Sequence, residues 1–278
     1  MKLIRYGENG KEKPGILDNN KNIRDLSNSI DDFYGNNVSI SSLEKISKIS
    51  NYDLPLIKKD VRIGSCLKDV PNFYCIGLNY KKHALEIGLG IPKEPIIFSK
   101  ATSCISGPYD NIILPKNSKK TDWEIELGII IGRDCENLDE KDVMSVISGY
   151  TIVNDISERE NQLEKGGQWI KGKSSKSFGP IGPYFVTKDE VKNPNDLKLM
   201  LKVNGKIYQN SSTSDMIFSI EKIISYMSKF MKLRCGDIVS TGTPEGVGMG
   251  LSPQIFLKKN DIVEAEIENF GKQVQKVI

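Results

Sequence analysis

D-W-E-I-E-L-G-I-I-I-G, the stretch from Asp122 to Gly132, reads as a β-strand that carries two acids. Side chains alternate between the faces of a strand, so Trp123, Ile125 and Leu127 point one way while Glu124 and Glu126 point the other. The alternation stops at Ile129, Ile130 and Ile131, which is the pattern of a strand covered on both faces. An unpaired carboxylate in such a place is costly to desolvate, and a divalent cation between the two acids removes that cost. The competing reading is an ordinary Glu-x-Glu pair facing water. A third ligand and a proton-transfer group elsewhere in the chain would decide for the metal.

Working outward, Y-T-I-V-N-D-I-S-E-R is an apolar strand ending in Asp155. An acid at the exit of a buried strand supplies a third oxygen ligand beside Glu124 and Glu126, a hard site suited to Mg²⁺, Mn²⁺ or Ca²⁺; the alternative is a helix N-cap. Arg159 and Gln162 follow at helical spacing, and an arginine there could take a substrate carboxylate with both of its nitrogens. The proton-transfer candidate is His83, the one histidine in the chain. It lies three residues before Glu86 on the short helix K-K-H-A-L-E-I-G, so the carboxylate would share its helix face and orient the imidazole; a surface histidine beside an acid is the commoner meaning of an isolated H-x-x-E. Strand N-F-Y-C-I-G-L-N-Y precedes that helix and strand P-I-I-F-S-K follows it.

Elsewhere, short runs between residues 1 and about 28 predict antiparallel hairpins, and Ser41 with Glu44 predicts a capping box on a helix over Ser41 to Lys48. The segment Asp53 to Asn72 reads as a connection, dividing the chain into a small β-containing unit, 1–65, and a main body, 66–278. Helices are expected over Asp139 to Ser148 and from Asp215 to Leu233, the second packing a stripe that includes Met216, Ile220, Met227, Phe230 and Met231. Asn204-Gly205 predicts a type I′ turn, and strands are expected near 254–258 and 262–278. The segment G-G-Q-W-I-K-G-K-S-S-K-S-F-G-P reads as a solvated loop, and the glycines at 242, 246, 248 and 250 as a tight turn whose N–H groups could face an anion. The fold class is α+β, mainly β.

Composition excludes several function classes. The 39 basic and 36 acidic residues are spread evenly, so neither nucleic acid nor a membrane surface is an expected partner. The five cysteines form no C-x-x-C, and no apolar run approaches the span of a bilayer, so the expectation is a soluble, cytoplasmic protein with reduced thiols. No redox or nucleotide-binding motif is present; the glycine turn lacks the G-K-[ST] of a P-loop.

Taken together and in order, G-L-N-Y-x-x-H-x-x-E (77–86), D-W-E-I-E-L-G (122–128), V-N-D-I-S-x-R (153–159), G-G-Q-W-I-K-G-K-S (166–174) and T-G-T-P-x-G-V-G (241–248) resemble the fumarylacetoacetate hydrolase family. The likeness reaches the N-terminal R-Y-G-x-x-G-x-E-K-P-G, and looks closest to the branch of 2,4-diketo-3-deoxy sugar-acid hydrolases and ureidoglycolate lyase. It implies a mixed β-sandwich roll, a homodimer, and a divalent metal, Mg²⁺ before Mn²⁺ or Ca²⁺, on Glu124, Glu126 and Asp155. It also implies catalytic roles for His83, Glu86 and Lys173, the last aligned by its distance to Gly182-Pro183, and substrate contacts from Arg159, Gln162 and Thr243. Where many relatives carry Phe-Asp after Lys-Ser, this chain has Ser175 and Lys176, which bears on substrate preference. The resulting expectation is hydrolysis of a carbon–carbon bond in a 2,4-diketo (acylpyruvate-type) acid. Decarboxylation of an oxaloacetate-type acid, dienoate isomerisation and ureidoglycolate cleavage are the alternatives on the same site, and a catalytically silent metal-binding protein is the alternative of another class.

Overall fold

A computed structural model describes residues 1–57 and 60–278; Lys58 and Lys59, within the expected connection Asp53 to Asn72, lie outside the described residues. The backbone of the fold is a nine-stranded sheet in the order Ile23–Asp25, Lys13–Leu17, Lys2–Tyr6, Phe185–Thr187, Ile147–Asn154, Ile125–Ile131, Ile238–Ser240, Phe73–Gly77, Ile96–Lys100. The pairs are antiparallel except Ile238–Ser240 beside Phe73–Gly77, which is parallel. A second, antiparallel sheet of four strands is ordered Lys206–Ser212, Lys198–Val203, Ile262–Ile267, Gly271–Lys276. The fold is mainly β, as the strand patterns predict.

The acidic strand earns its central place by composition. Every residue from Thr121 to Gly132 is buried, and Ile125, Leu127, Ile129, Ile130 and Ile131 have no exposed surface, so both faces are covered. Five such side chains together contribute about 1.5–3 kcal/mol each when removed from water. That burial is large enough to hold neighbouring charged groups in a dry setting.

Residues 1–25 form the predicted hairpins, and Lys2–Tyr6 joins them to the same large sheet through Phe185–Thr187. Arg62 reaches Asp110 at 2.6 Å and Glu12 at 2.7 Å, tying this end to the main body. Asn204 and Gly205 have φ of 52° and 78°, the two left-handed residues that a type I′ turn demands.

Four local expectations are corrected. The first helix runs Ile40–Ile46 and is capped by Ser39, whose hydroxyl accepts from the Ser42 amide at 3.3 Å, so Ser41 and Glu44 form no box. Between Asp139 and Ser148 only a 3₁₀ turn, Glu140–Ser145, forms, because the β-branched run Ile147–Asn154 is claimed by the large sheet. The long helix is Ile220–Ser228, preceded by the separate turn Thr213–Asp215, and Phe230 beyond its end is 65 % exposed rather than packed in the core. No strand forms over 254–258, and 262–278 is a hairpin of two strands, Ile262–Ile267 and Gly271–Lys276.

Candidate functional site

Register places the three acids together. Ile125 pairs with Asn154 and Glu126 with Val153, so extending the antiparallel ladder by one residue sets Glu124 opposite Asp155. Residues opposite one another and two apart along a strand share a face, which puts Glu124, Glu126 and Asp155 on one side. The ladder is reinforced there: the Asp155 amide donates to the Glu124 carbonyl at 2.8 Å, and the Glu124 amide donates to Asn154 Oδ1 at 3.1 Å. One carboxylate oxygen from each of the three acids lies within 4.8 Å of the others, and all three residues are buried.

The acids are not equally partnered, which refines the reasoning from desolvation alone. Lys173 Nζ donates to Glu124 Oε2 at 2.7 Å and to Asp155 Oδ2 at 2.8 Å. Arg159 Nη1 pairs with Glu124 Oε1 at 2.6 Å, and its Nε donates to Asp122 Oδ2 at 2.9 Å. Asp155 also takes the buried ammonium of Lys100. Among the described residues Glu126 has only neutral donors, the Ser240 hydroxyl at 2.5 Å and the Gly242 amide at 2.9 Å. Burial pushes the Glu124 carboxyl up, but Lys173 and Arg159 more than reverse it and hold it well below the usual carboxylate range. Burial, with the charges of Asp155 and Glu124 behind it, drives the Glu126 carboxyl well above that range.

This donor set fits a hard divalent cation. Oxygen ligands converge from three carboxylates, and the one that lacks a cationic partner is the one such an ion would neutralise. Counting the buried groups, four carboxyl groups (Asp122, Glu124, Glu126, Asp155) face three cations (Lys100, Arg159, Lys173), and Glu126, the one driven upward, holds the odd proton.

A cavity of about 210 Å³ opens beside this cluster, lined on its polar side by His83, Glu124, Glu126, Arg159, Gln162, Lys173 and Thr243. His83 sits on the helix Lys81–Glu86, and its Nδ1 is 2.9 Å from Glu86 Oε1. The Gly246 amide donates to the same Glu86 carboxylate at 2.9 Å, so Glu86 is fixed as an acceptor and His83 Nδ1 is the donor. Gln162 lies on a one-turn π-helix, Glu160–Glu164, a wide turn that brings its Oε1 to 3.0 Å from Arg159 Nη1. Thr243 is held by the scaffold: its hydroxyl donates to the Ile125 carbonyl at 2.9 Å and accepts from Gln209 Nε2 at 2.8 Å. Lys176 is exposed and outside the cavity lining, whereas Lys173 is buried in it.

Three residues escaped sequence reasoning. Lys100 ends the strand Ile96–Lys100, where period two puts it on the same face as the cavity-lining Phe98. Asp122 belongs to the opening stretch but was given no role; it accepts from Arg159 and from the amides of Gly248, at 2.7 Å, and Met249, at 3.0 Å. Gln209 reaches from the second sheet, its Oε1 accepting from the Ile125 amide at 3.0 Å. The glycine turn does face anions: these are the chain's own carboxylates of Glu86, Asp122 and Glu126. Gly246, at φ 97°, is irreplaceable there, since a Cβ would lie 1.9 Å from the Tyr208 carbonyl oxygen.

The family model for the fumarylacetoacetate hydrolase C-terminal domain matches residues 72–278. A protein of Burkholderia ambifaria, described provisionally as a hydrolase, is 50 % identical over 276 residues, covering 99 % of this chain and 98 % of its own length. A fumarylacetoacetate hydrolase from Exiguobacterium antarcticum superposes with a TM-score of 0.89 at 30 % identity, over 100 % of this chain and 99 % of the other. A 5-carboxymethyl-2-hydroxymuconate delta-isomerase from Mycobacterium smegmatis does so with a TM-score of 0.79 at 30 % identity, over 100 % and 98 %. A motif order legible in the sequence, a shared fold and a domain model covering most of the chain converge: the chain belongs to the fumarylacetoacetate hydrolase family.

Proposed function

We propose that the protein is a metal-dependent hydrolase that cleaves a carbon–carbon bond in a 2,4-diketo acid. The observation that carries this reading is the convergence of Glu124, Glu126 and Asp155 within 4.8 Å beside a cavity that His83 also lines. A divalent ion held by the three acids would supply Lewis acidity for the 2-keto carboxylate and for the enolate charge that bond cleavage leaves. Arg159 Nη2, buried and without a partner among the described residues, is the donor left over for the substrate carboxylate. His83, donating from Nδ1 to Glu86, keeps the Nε2 lone pair free to take a proton from water. The hydroxide adds to the C4 carbonyl and the C3–C4 bond breaks, its electron pair passing to the enolate of the pyruvyl half. A proton returned to C3 then completes a carboxylic acid and a 2-keto acid. Lys173, between Glu124 and Asp155, offers a fixed positive charge to the developing negative oxygen.

The likeness to the Mycobacterium smegmatis isomerase supports a second reading, proton transfer within a dienoate acid on the same groups. Acylpyruvates assayed with Mg²⁺ or Mn²⁺, and again with chelator, test the first reading. Chelator-sensitive release of a carboxylic acid and a 2-keto acid is the expected outcome. Turnover of dienoates to a single isomeric product, with none of acylpyruvates, would replace it by the second.

A further inference from the structure

The cavity has a second half that the chemistry above does not use. Beyond the charged cluster its lining is apolar: Leu78, Leu89, Phe98, Leu163, Trp169 and Met249. Phe98 marks the boundary. Lys173 Nζ lies 5.1 Å from its ring centroid, and the Trp169 ring packs edge-on against it at 5.2 Å. Gly77 lets the Trp169 ring close over the strand end, since a Cβ would meet Trp169 Cζ3 at 2.7 Å. At the mouth Leu89 is 47 % and Leu163 44 % exposed, an apolar rim left in water unless something covers it.

The only cations lining the cavity among the described residues are Arg159 and Lys173, and both are engaged by the acids of the cluster. A second carboxylate seated among Leu89, Phe98, Leu163 and Trp169 would lose its hydration and gain no counter-charge. An alkyl or aryl group there gains burial instead. We infer that this half of the cavity is a specificity pocket for an uncharged, apolar substituent, so that the substrate is a monocarboxylic keto acid with a hydrophobic tail. This rests on the keto-acid reading of the polar half.

Binding to the Mg²⁺-loaded protein, measured by calorimetry and by Trp169 fluorescence, separates the two readings. The probes are pyruvate, 2-oxohexanoate and 2-oxo-octanoate, each longer acid set against the dicarboxylate of equal chain length. Affinity should rise about fourfold per methylene, the equivalent of ~0.8 kcal/mol, until the slot is filled. The dicarboxylates should bind at least tenfold more weakly than their matched monoacids. Leu163→Lys, at an exposed rim position, should narrow or invert that ratio. Pyruvate binding with no dependence on chain length, or a dicarboxylate binding as tightly as its monoacid, would overturn the apolar pocket alone. Failure of every keto acid, pyruvate included, would overturn the keto-acid reading and this inference with it.

Discussion

Glutamine placed at 124 and at 126 should act in different directions on the metal-free protein, although the two acids stand two residues apart on one strand face. Glu124 is the shared partner of Lys173 at 2.7 Å and Arg159 at 2.6 Å, so Glu124→Gln leaves two buried cations short of a charge. Breaking one side of a buried pair costs about 3–5 kcal/mol, and the lower end applies because Lys173 keeps Asp155 and Arg159 keeps Asp122. Glu126 has no cationic partner among the described residues, and the carbonyl of a glutamine would accept from Ser240 and Gly242 as before. Burial and the charges of Asp155 and Glu124 already favour its neutral form, so the neutral amide of Glu126→Gln should cost less than about 1 kcal/mol, or stabilise. Urea denaturation in chelator measures both. Mg²⁺ at a hundred times its Kd should then add about 2.7 kcal/mol to the wild type, and most of that gain should vanish in either variant. Equal destabilisation of the two variants in chelator, or an undiminished Mg²⁺ gain in either, would refute the assignment of charges around the site.

Other outcomes follow from the same contacts. His83→Ala should lower kcat by roughly 10²–10⁴ while leaving Mg²⁺ affinity, read by calorimetry, within a few-fold of wild type. Gly246→Ala should both destabilise the fold in denaturation and lower kcat, because a Cβ at φ 97° collides with the Tyr208 carbonyl and displaces the amide that fixes Glu86. All five cysteines are buried, and burial pushes the Cys66 thiol up to about 12 and those of Cys104, Cys135 and Cys235 up to about 11. A thiol reagent at neutral pH should therefore find none in the native protein and five in denaturant. In the unfolded chain these thiols ionise near their ordinary value while the folded chain keeps the protons, so denaturation at rising pH should show stability falling from about pH 9 upward.

Legibility in the sequence depended on whether the cause of a feature is local. The acidic strand, the His83–Glu86 pair and the Asn204-Gly205 turn are set by periods of two or three to four residues, and each stands where its spacing predicts. Glu124 and Asp155 meet because of a strand register, which sequence alone leaves open; the approach of both to Lys173 required the resemblance as well. Lys100, Asp122 and Gln209 were missed for one reason: their partners lie 55, 37 and 84 residues away along the chain, and nothing near them in sequence marks a buried polar side chain. Phe230 fell the other way, since a helical stripe continues past the point where the helix itself stops at Ser228.

The partnering of the acids changes what the metal is needed for. Four buried carboxylates face three buried cations, and Glu126, whose carboxyl is driven upward, holds the odd proton, so the empty cluster is close enough to balance for the chain to fold around it. A doubly charged ion among Glu124, Glu126 and Asp155 would displace that proton and leave the cluster with a single positive charge. In a cavity walled by apolar side chains the sign matters more than in water, because the local dielectric screens it poorly. A balanced, empty cluster would give a carboxylate no net attraction, whereas a loaded one would, with Arg159 Nη2, unpartnered among the described residues, as a donor to it. Lys100 and Lys173 are then what would make the loaded cluster positive with one ion: without their two charges it would be negative and would repel any anion that entered the cavity.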